Sequence, residues 1–188
     1  QPHLARFIEN HDEQRAVTAF GIEQGKAAGV TALMLPGLRL LHEGQLEGRR
    51  VRLPVHLGRR QGEEPLESME QFYRRLLPVL GEAIFHQGVW QLVELVPATP
   101  GDQGFENALA YQWLLDDQIC LAVSNLSKRR AEFELPIHVP HMTSRGWRLK
   151  NWMGEPISGE RSGELYEGGL RVDLPGYGFS IVSLVLGG

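Results

Sequence analysis

Arg6-Phe7-Ile8-Glu9-Asn10-His11-Asp12 sets an apolar pair, Phe7 and Ile8, directly ahead of a polar cluster that runs from Glu9 to Glu13. Buried parallel strands read as short unbroken apolar runs, and α/β enzymes place their reactive groups where such strands end. The stretch therefore predicts a short strand over Leu4–Ile8 opening into a site that contains Asn10, His11 and Asp12. A second reading stands beside it, because Asn and Asp also cap helices and the same three residues suit a capped loop. The chain downstream favours the strand end. Ile22–Leu35 carries Val30, Ala32, Leu33, Met34 and Leu35 and reads as a largely buried helix despite Gly25 and Gly29. Pro36-Gly37 ends it, and Leu38–His42 reads as a second short strand stopped by Gly44.

An Arg-rich polar loop follows from Glu47 to Glu64. Pro65 then opens a helix whose face carries Leu66, Met69, Phe72, Tyr73, Leu76, Leu77 and Leu80, with Gly81 as its stop. From Gly88 the pattern changes to short apolar runs: Val89–Val96, Ala108–Leu115, Gln118–Asn125, Ala131–Ile137, Trp147–Trp152, Leu165–Leu174 and Phe179–Leu186. Turn signals such as Asp116-Asp117, Ser127-Lys128 and Pro175-Gly176 separate them, which predicts an antiparallel β-sandwich. Two domains are expected, 1–86 and 87–188, the second with its own core and able to unfold cooperatively by itself.

The bulk properties exclude more than they assign. The 188 residues are 42% hydrophobic and 22% charged with a net charge of −4, so nothing favours nucleic acid or an anionic membrane as a partner. Lys128-Arg129-Arg130 reads as a solvated hairpin tip. The lone Cys120 lies in an apolar run and reads as a core residue. The absence of any disulfide fits a reducing, cytoplasmic location. No apolar run reaches membrane-spanning length.

Phe-x-x-Asn-His-Asp resembles the fourth conserved region of the α-amylase family, glycoside hydrolase family 13. Leu35-Pro36-Gly37 followed by Leu40-Leu41-His42-Glu43-Gly44-Gln45 resembles a further strand of that family, and Ala108-Leu109-Ala110-Tyr111 and Leu121–Ser127 resemble strands of its C-terminal sandwich. Two positions depart from the pattern: Arg39 stands where Pro is common and Leu46 where Glu is common, with Glu47 one residue later. The resemblance covers nearly the whole chain. It implies an α/β barrel remnant, the βαβα last quarter of a TIM barrel, followed by an all-β antiparallel sandwich, that is, the C-terminal piece of a larger enzyme.

The resemblance also implies chemistry. Retaining cleavage of an α-glucosidic bond needs a nucleophile and an acid/base carboxyl about 5 Å apart, and in the family both lie on earlier barrel strands. Asp12 resembles the third carboxylate, the transition-state stabiliser, while His11 and Asn10 resemble substrate-binding and supporting residues. The expected partner of the parent enzyme is an α-glucan or maltooligosaccharide, and the isolated chain is expected to be inactive. No cofactor is expected. A metal is rejected at His42-Glu43-Gly44-Gln45-Leu46, since Leu46 stands where a zinc helix needs a second His, and His138, His141 and Cys120 lack ligand spacing. Arg15 has Glu9, Glu13 or the barrel rim as candidate neighbours. Asn125-Leu126-Ser127 is a formal glycosylation sequon. Trp90, Trp113, Trp147 and Trp152 fit core packing better than sugar platforms. A barrel remnant has open sheet edges, so apolar surface is expected to be exposed around Val30, Leu33 and Met34 unless another chain or the sandwich covers it, with self-association as the outcome. The competing reading is a non-catalytic β-sandwich module that binds carbohydrate or protein.

Overall fold

The computed structural model describes residues 3–57, 59, 62–137, 147–155, 157 and 170–186. The chain divides into two compact units, 1–81 and 82–188.

The first unit contains β1 (Ala5–Arg6), α1 (Ala16–Phe20), α2 (Ile22–Leu33), β2 (Leu38–Arg39) and α3 (Glu67–Leu80). The two strands pair in parallel, Ala5 opposite Leu38 and Arg6 opposite Arg39. Backbone bonds from Leu38 N–H to Leu4 O (3.0 Å) and from Leu40 N–H to Arg6 O (2.9 Å) complete the ladder. Parallel neighbours cannot be joined by a hairpin, and the helices between them supply the crossover. Both strands are shorter than the predicted Leu4–Ile8 and Leu38–His42. An additional short helix, α1, precedes the expected one and is separated from it at Gly21, whose φ of 78° suits glycine. The expected helix, α2, ends at Leu33 rather than Leu35, because Pro36 disfavours helical backbone at the residue before it.

One sequence expectation is overturned here. Val30, Leu33 and Met34 are fully buried, because α1 and α3 both pack against α2 and Gly29 brings α2 against the rings of Phe72 and Tyr73. Bare apolar surface is found on the strand pair instead. Parallel pairing puts Ala5 and Leu38, then Phe7 and Leu40, on one face, and Leu38 is 69% and Phe7 40% exposed. The opposite face carries Arg6 and Arg39. Arg39 Nε donates to Leu33 O at 2.6 Å, and Arg6 Nε donates to Pro36 O at 3.2 Å.

The second unit opens with α4 (Ile84–Gln87), which straddles the expected boundary between residues 86 and 87. Its strands are β3 (Val89–Val93), β4 (Val96–Pro97), β5 (Ala108–Leu115), β6 (Gln118–Asn125), β7 (Ala131–Leu135), β8 (Trp147–Gly154), β9 (Leu170–Leu174) and β10 (Phe179–Leu186). They form a five-stranded sheet ordered β3-β5-β6-β10-β8 and a three-stranded sheet ordered β4-β7-β9, antiparallel throughout. The predicted strand Val89–Val96 is divided between the sheets: Val89–Val93 pairs with β5, and Val96 lies opposite Glu134 of β7. It therefore stands at the end of its sheet, whereas β5, β6 and β10 are central. Residues 165–169 of the predicted strand 165–174, with His138 and His141, lie outside the described residues.

Alternation sorts the side chains. Ala108 and Ala110 of β5, Ile119, Leu121 and Val123 of β6, and Val182 and Leu184 of β10 face Phe133, Leu135, Val172 and Leu174 of the smaller sheet in one core. On the other face of the large sheet, Trp113 stacks edge-to-face with Phe85 of α4, centroids 5.8 Å apart. Cys120 is buried in this sheet, and burial pushes its thiol up, so it is no nucleophile. The sequon asparagine, Asn125, is fully buried. Its Nδ2 donates to Arg129 O (2.7 Å) and Pro175 O (2.9 Å), which makes it a structural tie between turns. Arg130 of the basic triplet is exposed and bonds Asp173 through Nε at 2.6 Å.

Candidate functional site

The loop leaving β1 is organised by two side chains. Asn10 Oδ1 accepts hydrogen bonds from the backbone N–H groups of Asp12 (2.8 Å) and Glu13 (2.9 Å). That turn resolves one alternative left by the sequence. Asn10 closes a turn in the loop, and neither it nor Asp12 caps a helix. The capping falls to Glu9, whose Oε2 accepts from Ala16 N–H at 2.6 Å, the first residue of α1. A carboxylate there satisfies an orphan donor and meets the positive end of the helix dipole.

Arg15 takes the Glu9 alternative. Its Nη2 lies 2.9 Å from Glu9 Oε1, with side-chain exposures of 5% and 1%. That oxygen makes no aligned hydrogen bond, so the pair is held there by charge. Arg15 Nη2 also donates to Glu43 O at 2.9 Å, and Nε to Arg49 O at 3.3 Å. One buried guanidinium thus ties the segment after β2 to the segment after β1. Burial raises the Glu9 carboxyl above 4.5, and the Ala16 N–H and the Arg15 charge oppose that shift without cancelling it.

On this platform stand the residues the sequence singled out. His11 and Asp12 are exposed neighbours, Nε2 to Oδ2 3.2 Å, with side-chain exposures of 58% and 73%. The parallel pairing of β1 with β2 brings His42 and Glu43 to the same end of the strand pair. A small cleft of about 40 Å³ is lined by His11, Arg15, His42, Glu43, Arg49 and Arg52 with further residues of the loop. Arg52 Nε donates to the His11 carbonyl at 3.3 Å. His42 is held below the usual imidazole value by burial and by the Arg15 charge, with Glu43 pulling the other way. Beneath it, Gln45 is buried. Its Oε1 accepts from His42 N–H at 3.2 Å and its Nε2 donates to the Tyr73 hydroxyl at 2.7 Å. Burial pushes that phenol up to about 12, so it stays neutral as a fixed acceptor. Gly44 has φ 83°, and a Cβ there would lie 2.7 Å from Arg15 Nη2, so the turn after β2 requires glycine.

Asn10, His11 and Asp12 are therefore together beyond the end of a parallel strand, with the Asp12 side chain exposed to solvent beside His11. His42, Arg49 and Arg52 were not singled out as site residues. Gly44 marks the end of the second strand in the sequence, but only the pairing of β1 with β2 shows that His42 borders His11. Among the described residues no group of three or more His, Cys, Asp or Glu is placed to hold a metal ion.

No family model matches the chain. No curated protein matches it in sequence. Solved structures do match in fold. Trehalose-6-phosphate hydrolase from Bacillus licheniformis superposes with a TM-score of 0.64 at 17% identity over 96% of this chain and 43% of its own. The α-amylase from Geobacillus thermoleovorans, solved with acarbose, gives 0.69 at 14% identity over 97% of this chain and 39% of its own. The debranching enzyme from Nostoc punctiforme gives 0.68 at 17% identity over 96% of this chain and 35% of its own. The chain thus spans about two-fifths of the length of the first of these enzymes. The resemblance to the α-amylase family read from Asn10-His11-Asp12 holds at the level of the fold, and this chain has the fold of a part of an α-amylase-type enzyme.

Proposed function

We propose that the chain is the C-terminal portion of an α-amylase-type glycosidase acting on α-glucans by a retaining mechanism, with the nucleophile and the acid/base outside these 188 residues. In this reading residues 1–86 are the last quarter of a (β/α)8 barrel and residues 87–188 its C-terminal sandwich. The observation that carries the reading is the exit from β1: an Asx turn presents His11 and Asp12 at the C-terminal end of a parallel strand. The bare face of the strand pair, Phe7, Leu38 and Leu40, supports it. A closed barrel would turn that face inward against further strands.

Asp12 then sits beside the reacting sugar as a carboxylate. It bonds ring hydroxyls and stabilises the positive charge that builds on the ring as the glycosidic bond breaks. His11 donates to a hydroxyl of the same ring, and its distance to Asp12 lets each orient the other. Asn10 acts through the backbone, holding the N–H groups of residues 12 and 13 so that Asp12 keeps its direction. The test is steady-state kinetics of the parent enzyme and its Asp12→Asn variant on maltooligosaccharides, with melting temperature as the folding control. Turnover should fall by about two to four orders of magnitude with little change in ground-state binding. A well-folded variant with near-normal turnover would sink the assignment of Asp12.

A further inference from the structure

Residues 49–52 belong to no helix or strand, yet side chains tie the segment down. Arg15 Nε donates to Arg49 O, and Thr18 Oγ1 donates to Arg50 O at 2.9 Å. Glu63 accepts from the N–H groups of Arg50 (2.7 Å) and Val51 (3.4 Å). Arg52 Nε donates to His11 O at 3.3 Å. An irregular segment held in this way is preorganised, and preorganised groups lose little freedom on binding. We propose that it prepares the cleft beside His11 for an acidic group, a phosphate or a carboxylate, carried by the saccharide substrate. The saccharide rests on the glycosidase reading; the acidic group rests on the cleft alone.

Charge comes first. Arg15, Arg49 and Arg52 line the cleft with His11 and His42. Glu9 neutralises Arg15 at 2.9 Å. Arg49 and Arg52 lack such a counter-charge, since among the described residues neither guanidinium is in an ion pair. Arg49 Nε is buried without a hydrogen-bond partner. A buried donor of that kind needs an explanation, and an acceptor brought by a ligand supplies one. Arg52 is exposed and anchored through Nε, which leaves its terminal amino groups for a ligand. Two carboxylates share the lining. Glu63 commits both oxygens to backbone N–H groups, and Glu43 is exposed, where water and salt screen its charge.

Size narrows the ligand. A volume of about 40 Å³ admits about three water-sized groups. That suits the oxygens of one phosphate or carboxylate and is too small for a sugar ring. Guanidinium forks match the oxygens of these anions, and charge-assisted bonds to them are stronger than bonds to neutral hydroxyls. The net charge of −4 gives no general attraction for a polyanion. A single acidic group, next to a ring held at His11 and Asp12, meets all of these conditions.

The 188-residue chain is titrated at fixed pH with glucose 6-phosphate, glucuronate, inorganic phosphate and maltose. NMR follows the imidazole resonances of His11 and His42, assigned by their loss in His11→Gln and His42→Gln. At least one acidic sugar should bind about tenfold more tightly than maltose or inorganic phosphate, and which one does so tells phosphate from carboxylate. Arg49→Gln and Arg52→Gln should each weaken that binding about tenfold, while Arg171→Gln in the second unit should leave it unchanged. Because Arg52 is exposed, its variant carries the comparison if Arg49→Gln loses a dispersed spectrum. Acidic sugars that bind no better than maltose overturn the proposal, as does full affinity in Arg52→Gln. Inorganic phosphate bound as tightly as the sugar phosphate overturns the assignment to a substrate. In the parent enzyme, Arg52→Gln should lower kcat/KM for the preferred acidic maltoside about tenfold relative to maltose. An unchanged ratio overturns the inference. Absence of turnover on both substrates defeats the glycosidase reading instead, and the titration then decides the cleft.

Discussion

Glu9 and Arg15 meet across the start of α1, Oε1 2.9 Å from Nη2, with both side chains almost wholly buried. Glu9 caps α1 through Ala16 N–H, and Arg15 binds the Glu43 and Arg49 carbonyls. The pair thus fixes the distance between the loop that carries Asp12 and the loop that carries His42. Buried pairs of this kind are weak evidence for net stability, but removing one partner strands the other charge in a poor solvent.

Arg15→Met should therefore destabilise the chain by about 3–5 kcal/mol near neutral pH. It leaves Glu9 without its counter-charge and two carbonyls without their donor. Urea unfolding followed by circular dichroism measures the loss, and a change below about 1 kcal/mol would show that the pair is solvated in solution.

The same carboxyl gives a pH dependence with a definite sign. Burial holds Glu9 above 4.5 in the folded chain. Between that value and its folded pKa the folded chain keeps a proton that the unfolded chain has lost, so stability falls as pH rises through this window. The parent chain should accordingly lose stability relative to Glu9→Gln as pH rises from below 4.5. Unfolding free energies of both proteins across acidic to neutral pH provide the check, and a parent chain that gains stability relative to the variant as pH rises contradicts the assignment.

His42 should titrate below 6.5, because burial and the Arg15 charge both disfavour its cation while Glu43 favours it. Glu43→Gln should move it lower still. A base with a depressed folded pKa contributes stability that is present above the unfolded value and lost as pH falls through the folded one. Imidazole chemical shifts followed by NMR in both proteins read this directly, and an upward move in Glu43→Gln would refute it.

Gly44→Ala should cost about 1–3 kcal/mol, since φ is 83° and the added carbon would lie 2.7 Å from both Arg15 Nη2 and Arg49 Cγ. In the parent enzyme the same change should displace the His42 side of the cleft. Urea midpoints compare the proteins. An unchanged midpoint would mean that the turn after β2 has room the structure does not show.

The bare strand face predicts association of the chain by itself. Phe7, Leu38 and Leu40 are exposed on one face of a strand pair with open edges. Sedimentation velocity should show concentration-dependent oligomers, reduced in Leu38→Lys with Leu40→Lys. A monomer at every concentration would count against this.

Local pattern determined a good deal of this protein. The bounds of β5, β6 and β10 match the predicted runs, because period-two alternation and adjacent turn residues are both properties of a few neighbouring positions. The turn at Asn10 is local as well, its bonds reaching two and three residues along the chain. So is the strand, helix, strand order that marks the parallel pair.

What only the tertiary structure decided involves partners distant in sequence. α1 was missed because its five residues depend on a carboxylate seven positions upstream. The run Val89–Val96 reads as one strand until its partners, β5 and β7, pull its halves into different sheets. Val30, Leu33 and Met34 look like an uncovered patch until α3 packs against α2. Trp152 looks like ordinary core until its register beside β10 shows the bulge. Apolar character says that a side chain seeks cover, and only the fold says which surface provides it. His11 and His42 share a cleft for the same reason: thirty-odd residues separate them in the chain, and the β1–β2 ladder removes that distance.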